Sequence, residues 1–567
     1  MAPRARTRRF GRDLEPGADP GSGATGGSGT GSGRPAGPAD RRRREDQTSP
    51  ARASDGPNGP NGGRRGNGGN GGDDDGGAES GGDGEAPPQR HRRLPAWVVP
   101  VLLGLAGLAA VAGALALNGD TTAAALDAPA PTTPVLSARR APELVAAPVA
   151  DRRLAADLDS WIAQSPSNSC LVVEASEDTL FAHNPTLPLA GASTQKLVTA
   201  TALLLARDPD DHLETVVGAA APPAAGIVAG DLYVVGGGDP LLATPAYAST
   251  LNGNHGGFLT VDPAQLADAI VAAGVTRIEG SIVGDDSRYD SERYNPAWPS
   301  RYRSQAVVGP VSALNINDGF GFYFDDGAGP GGGRTLDPPT NAAAVLTQLL
   351  RQRGVAVGGE AHAGQAPEGL AAIATFPSRT VRELVAEMLT DSDNDTAEMA
   401  LKEIGATTSG SGTWAAGTAA VTSLLSEAGV DVQGTNIVDG SGLSDTDRLN
   451  CQLLVDLLTR PETGPVLVEG LAVAGESGTL VDRWDETSVE GRLRAKTGTL
   501  NTVTALAGRV DPLQGGTLSF AYVLNVAAPA TITAADVQRQ EGLADILVNY
   551  PRGVDVAALV PASPAPE

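Results

Sequence analysis

Lysine is almost missing from this chain. Of 42 cationic side chains in 567 residues only Lys196, Lys402 and Lys496 are lysines, and all the others are arginines. Cysteine is rarer still: Cys170 and Cys451 stand alone, with no C-x-x-C pair. The five histidines (His91, His183, His212, His255, His362) are scattered and form no H-E-x-x-H. Metal chemistry has no ligand set to rest on, and no cofactor is called for. Gly236, Gly237 and Gly238 follow an apolar run but do not open a G-x-G-x-x-G, so they read as a tight turn rather than a phosphate cradle. A Ser-His-Asp hydrolase is disfavoured too, because no G-x-S-x-G occurs beyond residue 118.

Positive charge is also short. The formal net charge is −25. Residues 1–93 hold 16 Arg against 13 acids, or +3, so the remainder carries −28. A body this acidic is a poor partner for nucleic acid.

The composition divides the chain. Residues 1–93 are dominated by Gly, Pro, Asp and Arg ("NGGRRGNGGNGGDDDGG"), cannot build a packed core, and read as a disordered tail. Within 94–118, the stretch Ala96–Leu117 has 22 residues without a charge, about 33 Å as a helix and enough to span a bilayer. Arg90, Arg92 and Arg93 precede it, which places the tail in the cytoplasm and the body outside. A cleaved signal peptide is the rival reading, but a charged leader of about ninety residues is too long for one. Residues 119–150, rich in Ala, Pro and Thr, read as an extended tether. In the exported body the two thiols could bridge or could be buried separately, and composition does not choose.

Further on, "RRLAADLDSWIAQ" (152–164) has helical spacing and 169–184 reads as a hairpin. "GRLRAKTGTLNTVTALAGRV" and "TLSFAYVLNV" read as neighbouring strands, and "AADVQRQEGLADILVNY" as a closing helix. Strands near both ends with helices between them predict an α+β fold around one antiparallel sheet. This domain would comprise residues 151–215 and 376–567. The intervening 216–375, with strand-like pieces such as "DLYVVGGGD", "TRIEGSIVGDDS" and "GFGFYFDD" and a helix in "DPAQLADAIVAAG", is too long for a loop and reads as one or two inserted small mixed or β-rich domains.

Three short motifs carry the chemistry. In "GASTQKLVTATALLLA", Ser193 and Lys196 are three residues apart at the start of an apolar helix, so hydroxyl and amine share a face. A buried lysine can lose its proton and activate a serine; an arginine cannot. That accounts for a lysine in an arginine-biased chain. In "RAKTGTL", Lys496, Thr497, Gly498 and Thr499 on a strand can hold a substrate carboxylate, the glycine giving the substrate backbone room. In "LTDSDNDTAEMALK", Ser392 offers a hydroxyl for proton transfer and Asn394 an amide for substrate, although a plain helix N-cap reads equally well from the residues alone.

S-x-x-K, S-x-N and K-T-G in that order resemble the serine penicillin-recognising enzymes, the penicillin-binding proteins and class A and C β-lactamases. "LYVVGGGDPLL", "GPVSALNIND", "VDGSGLSDTDRL" and "AGESGTL" narrow the resemblance to the D-alanyl-D-alanine carboxypeptidase/endopeptidases of the class C low-molecular-mass penicillin-binding proteins, over roughly 155–550. The resemblance implies a transpeptidase-like fold, no cofactor, peptidoglycan stem peptides as substrate and covalent acylation by β-lactams. It makes Ser193 the nucleophile, Lys196 its base and Ser392 the proton donor to the leaving D-alanine. Asn394, Lys496, Thr497 and Thr499 would bind substrate, and the backbone N–H groups of Ser193 and Thr499 would form the oxyanion hole. Asp395 departs from the pattern, where a less charged residue is expected. A β-lactamase would have no use for the long insertion, and a catalytically silent wall-binding or β-lactam-sensing protein would have lost part of the site.

Overall fold

The computed structural model describes residues 142–176, 178–251, 259–321 and 333–551. The tail 1–93 and the apolar segment 94–118 lie outside the described residues. Among the described residues, no helix is long and apolar enough to cross a membrane.

The chain opens with α1 (Pro142–Ile162). This corrects the reading of 119–150 as a tether throughout, because its last nine residues are already helical. Ala150, Leu154, Leu158, Trp161 and Ile162 are buried at helical spacing, and this stripe holds the helix despite Pro148 in its interior. The hairpin of β1 (Ser169–Ala175) and β2 (Asp178–His183) follows. A short 3-10 turn, Ala192–Thr194, then leads into α2 (Gln195–Ala206).

The next stretch runs through β3 (His212–Ala219), β4 (Ile227–Val228), β5 (Leu232–Val235), α3 (Ala264–Ala272), β6 (Arg277–Ile278), β7 (Ile282–Asp285), α4 (Pro338–Gln352), β8 (Ala356–Val357), β9 (His362–Ala363) and β10 (Ala371–Thr380). These strands form two sheets of their own, β10-β3-β5-β7-β9 and β4-β6-β8, around a separate apolar cluster. Val216 and Thr375 are register partners on β3 and β10, and the ladder runs on to His212 opposite Thr380. The run "GFGFYFDD" is not a strand where it is described: Asn317–Gly319 form a 3-10 turn, Phe320 makes one isolated bridge to Arg334, and the rest lies outside the described residues.

Helices α5 (Val381–Thr390), α6 (Asn394–Ser409), α7 (Trp414–Glu427), α8 (Cys451–Thr459) and α9 (Gly464–Glu469) come next. A capping box of Thr380 and Glu383 starts α5, and the Asp393 carboxylate caps α6 through the N–H groups of Asp395 and Thr396. The chain closes with β11 (Ala472–Val473), β12 (Leu493–Leu500), β13 (Val503–Val510), β14 (Leu518–Asn525) and α10 (Ala534–Val548).

These last strands join the first two in one sheet, β11-β12-β13-β14-β1-β2, whose neighbours are all antiparallel. Both faces of its centre are buried, so the strands read as continuous apolar runs. Alternation still sorts them. Leu171, Val173, Leu506, Phe520, Tyr522 and Leu524 pack with α1 and α10, while Cys170, Val172, Ala505, Ala507, Ala521 and Val523 pack with α2, α6 and α8. The second set is small, which lets the buried helix α2 lie close. Cys170 on β1 is bridged by a disulfide to Cys451, the first residue of α8, with Cα atoms 5.9 Å apart.

Candidate active site

Ser193 is brought to the surface by the 3-10 turn, where Ala192 sits in the left-handed region at φ 47°. One turn on from Ser193, at the start of the buried helix, Lys196 is fully enclosed. Its Nζ lies 3.1 Å from Ser193 Oγ, 2.7 Å from Asn394 Oδ1 and 3.0 Å from the Ser441 carbonyl oxygen. Burial pulls the Lys196 amine down to about 8, against the carboxylates of Asp393, Glu398, Asp439 and Glu387, which favour the ammonium form.

Asn394 opens α6, and its Nδ2 donates to the Val307 carbonyl at 2.8 Å, which turns Oδ1 towards Lys196. Two residues before it, Ser392 holds the left-handed conformation at φ 63°, and its hydroxyl makes no hydrogen bond to another described residue. Asp395 does not face outward. It is buried, accepts the Gly309 N–H at 2.6 Å, and lies 3.6 Å from Arg334. The departure from the family pattern is an internal brace.

Along β12, Lys496 is buried with its Nζ donating to the Thr497 carbonyl at 3.2 Å. Burial, then the neighbouring Lys196, push its amine well below the ordinary range. Thr497 Oγ1 donates to Thr479 Oγ1 at 3.0 Å, and Thr499 is exposed. Gly498 packs against the nucleophile turn. A Cβ there would lie 2.6 Å from the Gly191 carbonyl oxygen and 3.2 Å from Ser193 N. Its missing side chain makes room for the chain's own nucleophile turn.

Direct hydrogen bonds thus join Ser193, Lys196 and Asn394, and Gly498 brings β12 against the same turn. Sequence reasoning missed Ser441 and Thr479. Both lie in quoted segments, "VDGSGL" and "AGESGTL", but one contributes a main-chain oxygen and the other a hydroxyl to a neighbouring threonine. Neither leaves a motif of its own.

A buried lysine against a serine, beside an antiparallel sheet, defines a serine hydrolase of the penicillin-recognising kind. Residues 154–324 and 330–543 match the D-Ala-D-Ala carboxypeptidase 3 (S13) family, and the chain belongs to that family. A D-alanyl-D-alanine carboxypeptidase of Actinomadura sp. (strain R39) is 30% identical over 447 residues, 65% of this chain and 80% of that protein. The carboxypeptidase DacB of Mycolicibacterium smegmatis is 30% identical over 467 residues, 79% of this chain and 97% of its own. Penicillin binding protein 4 (dacB) from Haemophilus influenzae shares the fold, with a TM-score of 0.58 at 21% identity over 69% of this chain and 99% of that one.

Proposed function

We propose that this serine peptidase cleaves at the terminal D-alanine of peptidoglycan stem peptides through an acyl-enzyme on Ser193, and that β-lactams acylate the same oxygen. The observation that carries the reading is the Lys196 amine, held 3.1 Å from Ser193 Oγ in a site where burial brings it down to about 8. About a tenth of the amine is then neutral at pH 7, far more than in a solvated lysine.

In this scheme the neutral Lys196 amine takes the Ser193 hydroxyl proton as Oγ bonds to the carbonyl carbon of the penultimate residue. The N–H groups of Ser193 and Thr499 stabilise the resulting oxyanion. Collapse breaks the C–N bond, and the Lys196 ammonium returns the proton through the Ser392 hydroxyl to the departing D-alanine nitrogen. Water then hydrolyses the ester by the reverse relay. Lys496, Thr497 and Thr499 meet the terminal carboxylate, and Asn394 the peptide.

Two coarser features belong to the same reading. The paired strands β3 and β10, with His212 opposite Thr380, support an inserted module that leaves and rejoins the peptidase domain at one place. The uncharged segment within 94–118, preceded by Arg90, Arg92 and Arg93, supports a single-pass anchor with the body exported.

The test is a peptide ending in D-Ala-D-Ala. Free D-alanine is expected from the wild-type protein, and Ser193→Ala is expected to lower its release by on the order of 10⁴-fold or more. Equal release from both proteins would remove Ser193 from the reaction.

A further inference from the structure

A lysine that serves as a base must present a lone pair to the hydroxyl, not an N–H. The neutral amine has two hydrogens and one lone pair in tetrahedral array. Lys196 Nζ has three neighbours: the Asn394 Oδ1 and Ser441 carbonyl oxygens, which accept only, and the Ser193 hydroxyl, which can donate. With the two N–H bonds spent on the two acceptors, the lone pair is left facing Ser193. Without either acceptor the amine can turn and donate to the serine, which is unproductive.

What aims the Ser441 carbonyl is therefore part of the mechanism. Ser441 lies in the segment 438–444, which a pair of buried carboxylates grips from two sides. Glu398, one turn along α6 from Asn394, accepts the Gly440 and Ser441 N–H groups with Oε1 at 3.1 and 2.8 Å. Its Oε2 accepts the Trp414 indole N–H at 2.7 Å. Asp439 accepts the N–H groups of Gly442 and Ser444 and the Trp298 indole N–H, each at 2.7 Å. All six of these donors are N–H groups, which a carboxylate accepts; burial, then Asp439, raises the Glu398 carboxyl to about 7, so it still carries its charge where Lys196 titrates. Asn295 adds a bond to the Val438 carbonyl at 3.0 Å, and the two indoles meet edge-on at 5.7 Å. The loop also sits directly on the nucleophile turn: Gly442 is at φ 80°, and a Cβ on it would lie 1.9 Å from the Ala192 carbonyl oxygen.

We propose that Glu398 and Trp298 are positioning residues for the base: acting through the Gly440 and Ser441 amides and through Asp439, they hold the Ser441 carbonyl on Lys196 Nζ and so keep its lone pair on Ser193. Trp298 and Asn295 lie between β7 and α4, as does Val307, whose carbonyl orients Asn394. Two of the lysine's three neighbours are thus aimed by the stretch 295–307. The long insertion carries part of the peptidase's positioning machinery.

The inference rests on Lys196 being the base. Burial lowers the Lys196 amine, and the carboxylates opposing it are Asp393 at the start of α6, Glu398 on α6, Asp439 in the loop and Glu387 on α5; Lys496 on β12 is its cationic neighbour, and Asp447 adjoins Asp439 and Glu398. Removing the Glu398 charge removes one influence that favours the ammonium form, so the acid limb of the acylation rate moves to lower pH in Glu398→Gln. Trp298→Phe keeps every charge, so its limb stays near that of the wild type.

The experiment measures the rate constant for labelling by a fluorescent penicillin through the range around pH 8, together with the final labelled fraction. For both variants we expect full final labelling of the folded protein with a plateau rate lowered on the order of tenfold or more, because the base is misaimed. A purely structural role would lower the labelled fraction and leave the rate constant and limb of the surviving sites unchanged. That outcome, or wild-type kinetics in both variants, overturns the proposal. If Glu398→Gln does not fold, Trp298→Phe, which retains the ring, decides by its plateau rate. Lys196→Arg in the same assay separates the two levels: normal labelling there would sink the base assignment itself, independently of the clamp.

Discussion

Lys196→Arg is expected to abolish acylation of Ser193 while the fold persists. The guanidinium keeps the positive charge and most of the reach, so an ion-pairing role would survive the exchange. A base would not, because arginine stays protonated at any usable pH. Loss of the general base alone is expected to cost about 10²- to 10⁴-fold. The enclosed site adds to this, since the larger head must fit where Lys196 has no exposed surface. Wild-type labelling should rise with pH through about 8, where the enclosed amine loses its proton, and Lys196→Arg should show no such rise. Lys496→Arg is the comparison. Lys496 is equally enclosed, so the larger head meets the same constraint there; its proposed task is electrostatic and its Nζ donates to the Thr497 carbonyl, so labelling should fall yet remain measurable. Near-normal labelling of Lys196→Arg would refute the base assignment.

Loss of the disulfide is expected to have the largest effect on stability. Cys170 and Cys451 are separated by 281 residues, so the bridge closes a long loop across the peptidase domain. Chain-entropy arguments give about 5–6 kcal/mol for so long a loop, and removal of native bridges typically costs about 2–5 kcal/mol. Both sulfurs are buried in the cluster shared by β1, α2 and α8, so the double variant Cys170→Ala/Cys451→Ala avoids leaving a buried hydroxyl there. The denaturant midpoint of that variant should fall by the corresponding amount, and reduction of the wild type should reproduce it. Equal midpoints for oxidised and reduced protein would show that packing alone holds the two elements.

How much of this was legible in advance depended on distance along the chain. The contact between Ser193 and Lys196 is local, three residues apart on one helix face, and a pattern of spacing is enough to foresee it. The strands β12, β13 and β14 are long and apolar, and they stand out for the same reason. The start of α1 was not legible, because Pro142 and Pro148 resemble a tether until the tertiary packing that buries Ala150 is present. The two-residue strands β4, β8 and β9 are shorter than any periodicity can register. Cys170 and Cys451 could be counted but not paired. Glu398 meets the Gly440 amide across 42 residues, Trp298 meets Asp439 across 141, and the Ser441 carbonyl meets Lys196 across 245. Such contacts leave no residue-type signature, and only the folded chain brings them together.

The three lysines share a property beyond their scarcity: all have essentially no exposed surface. Lys196 faces Ser193, Lys496 lies inside β12, and Lys402 is locked between Asp290 and the Trp414 ring. To an amine-directed reagent the folded body therefore presents no lysine at all, and coupling chemistry that relies on surface amines has nothing there to hold. A protease that cuts only after lysine faces the same closed surface. Its three sites open only when the core does, so the appearance of its fragments is a clock for unfolding, written into the chain by the residue it uses least.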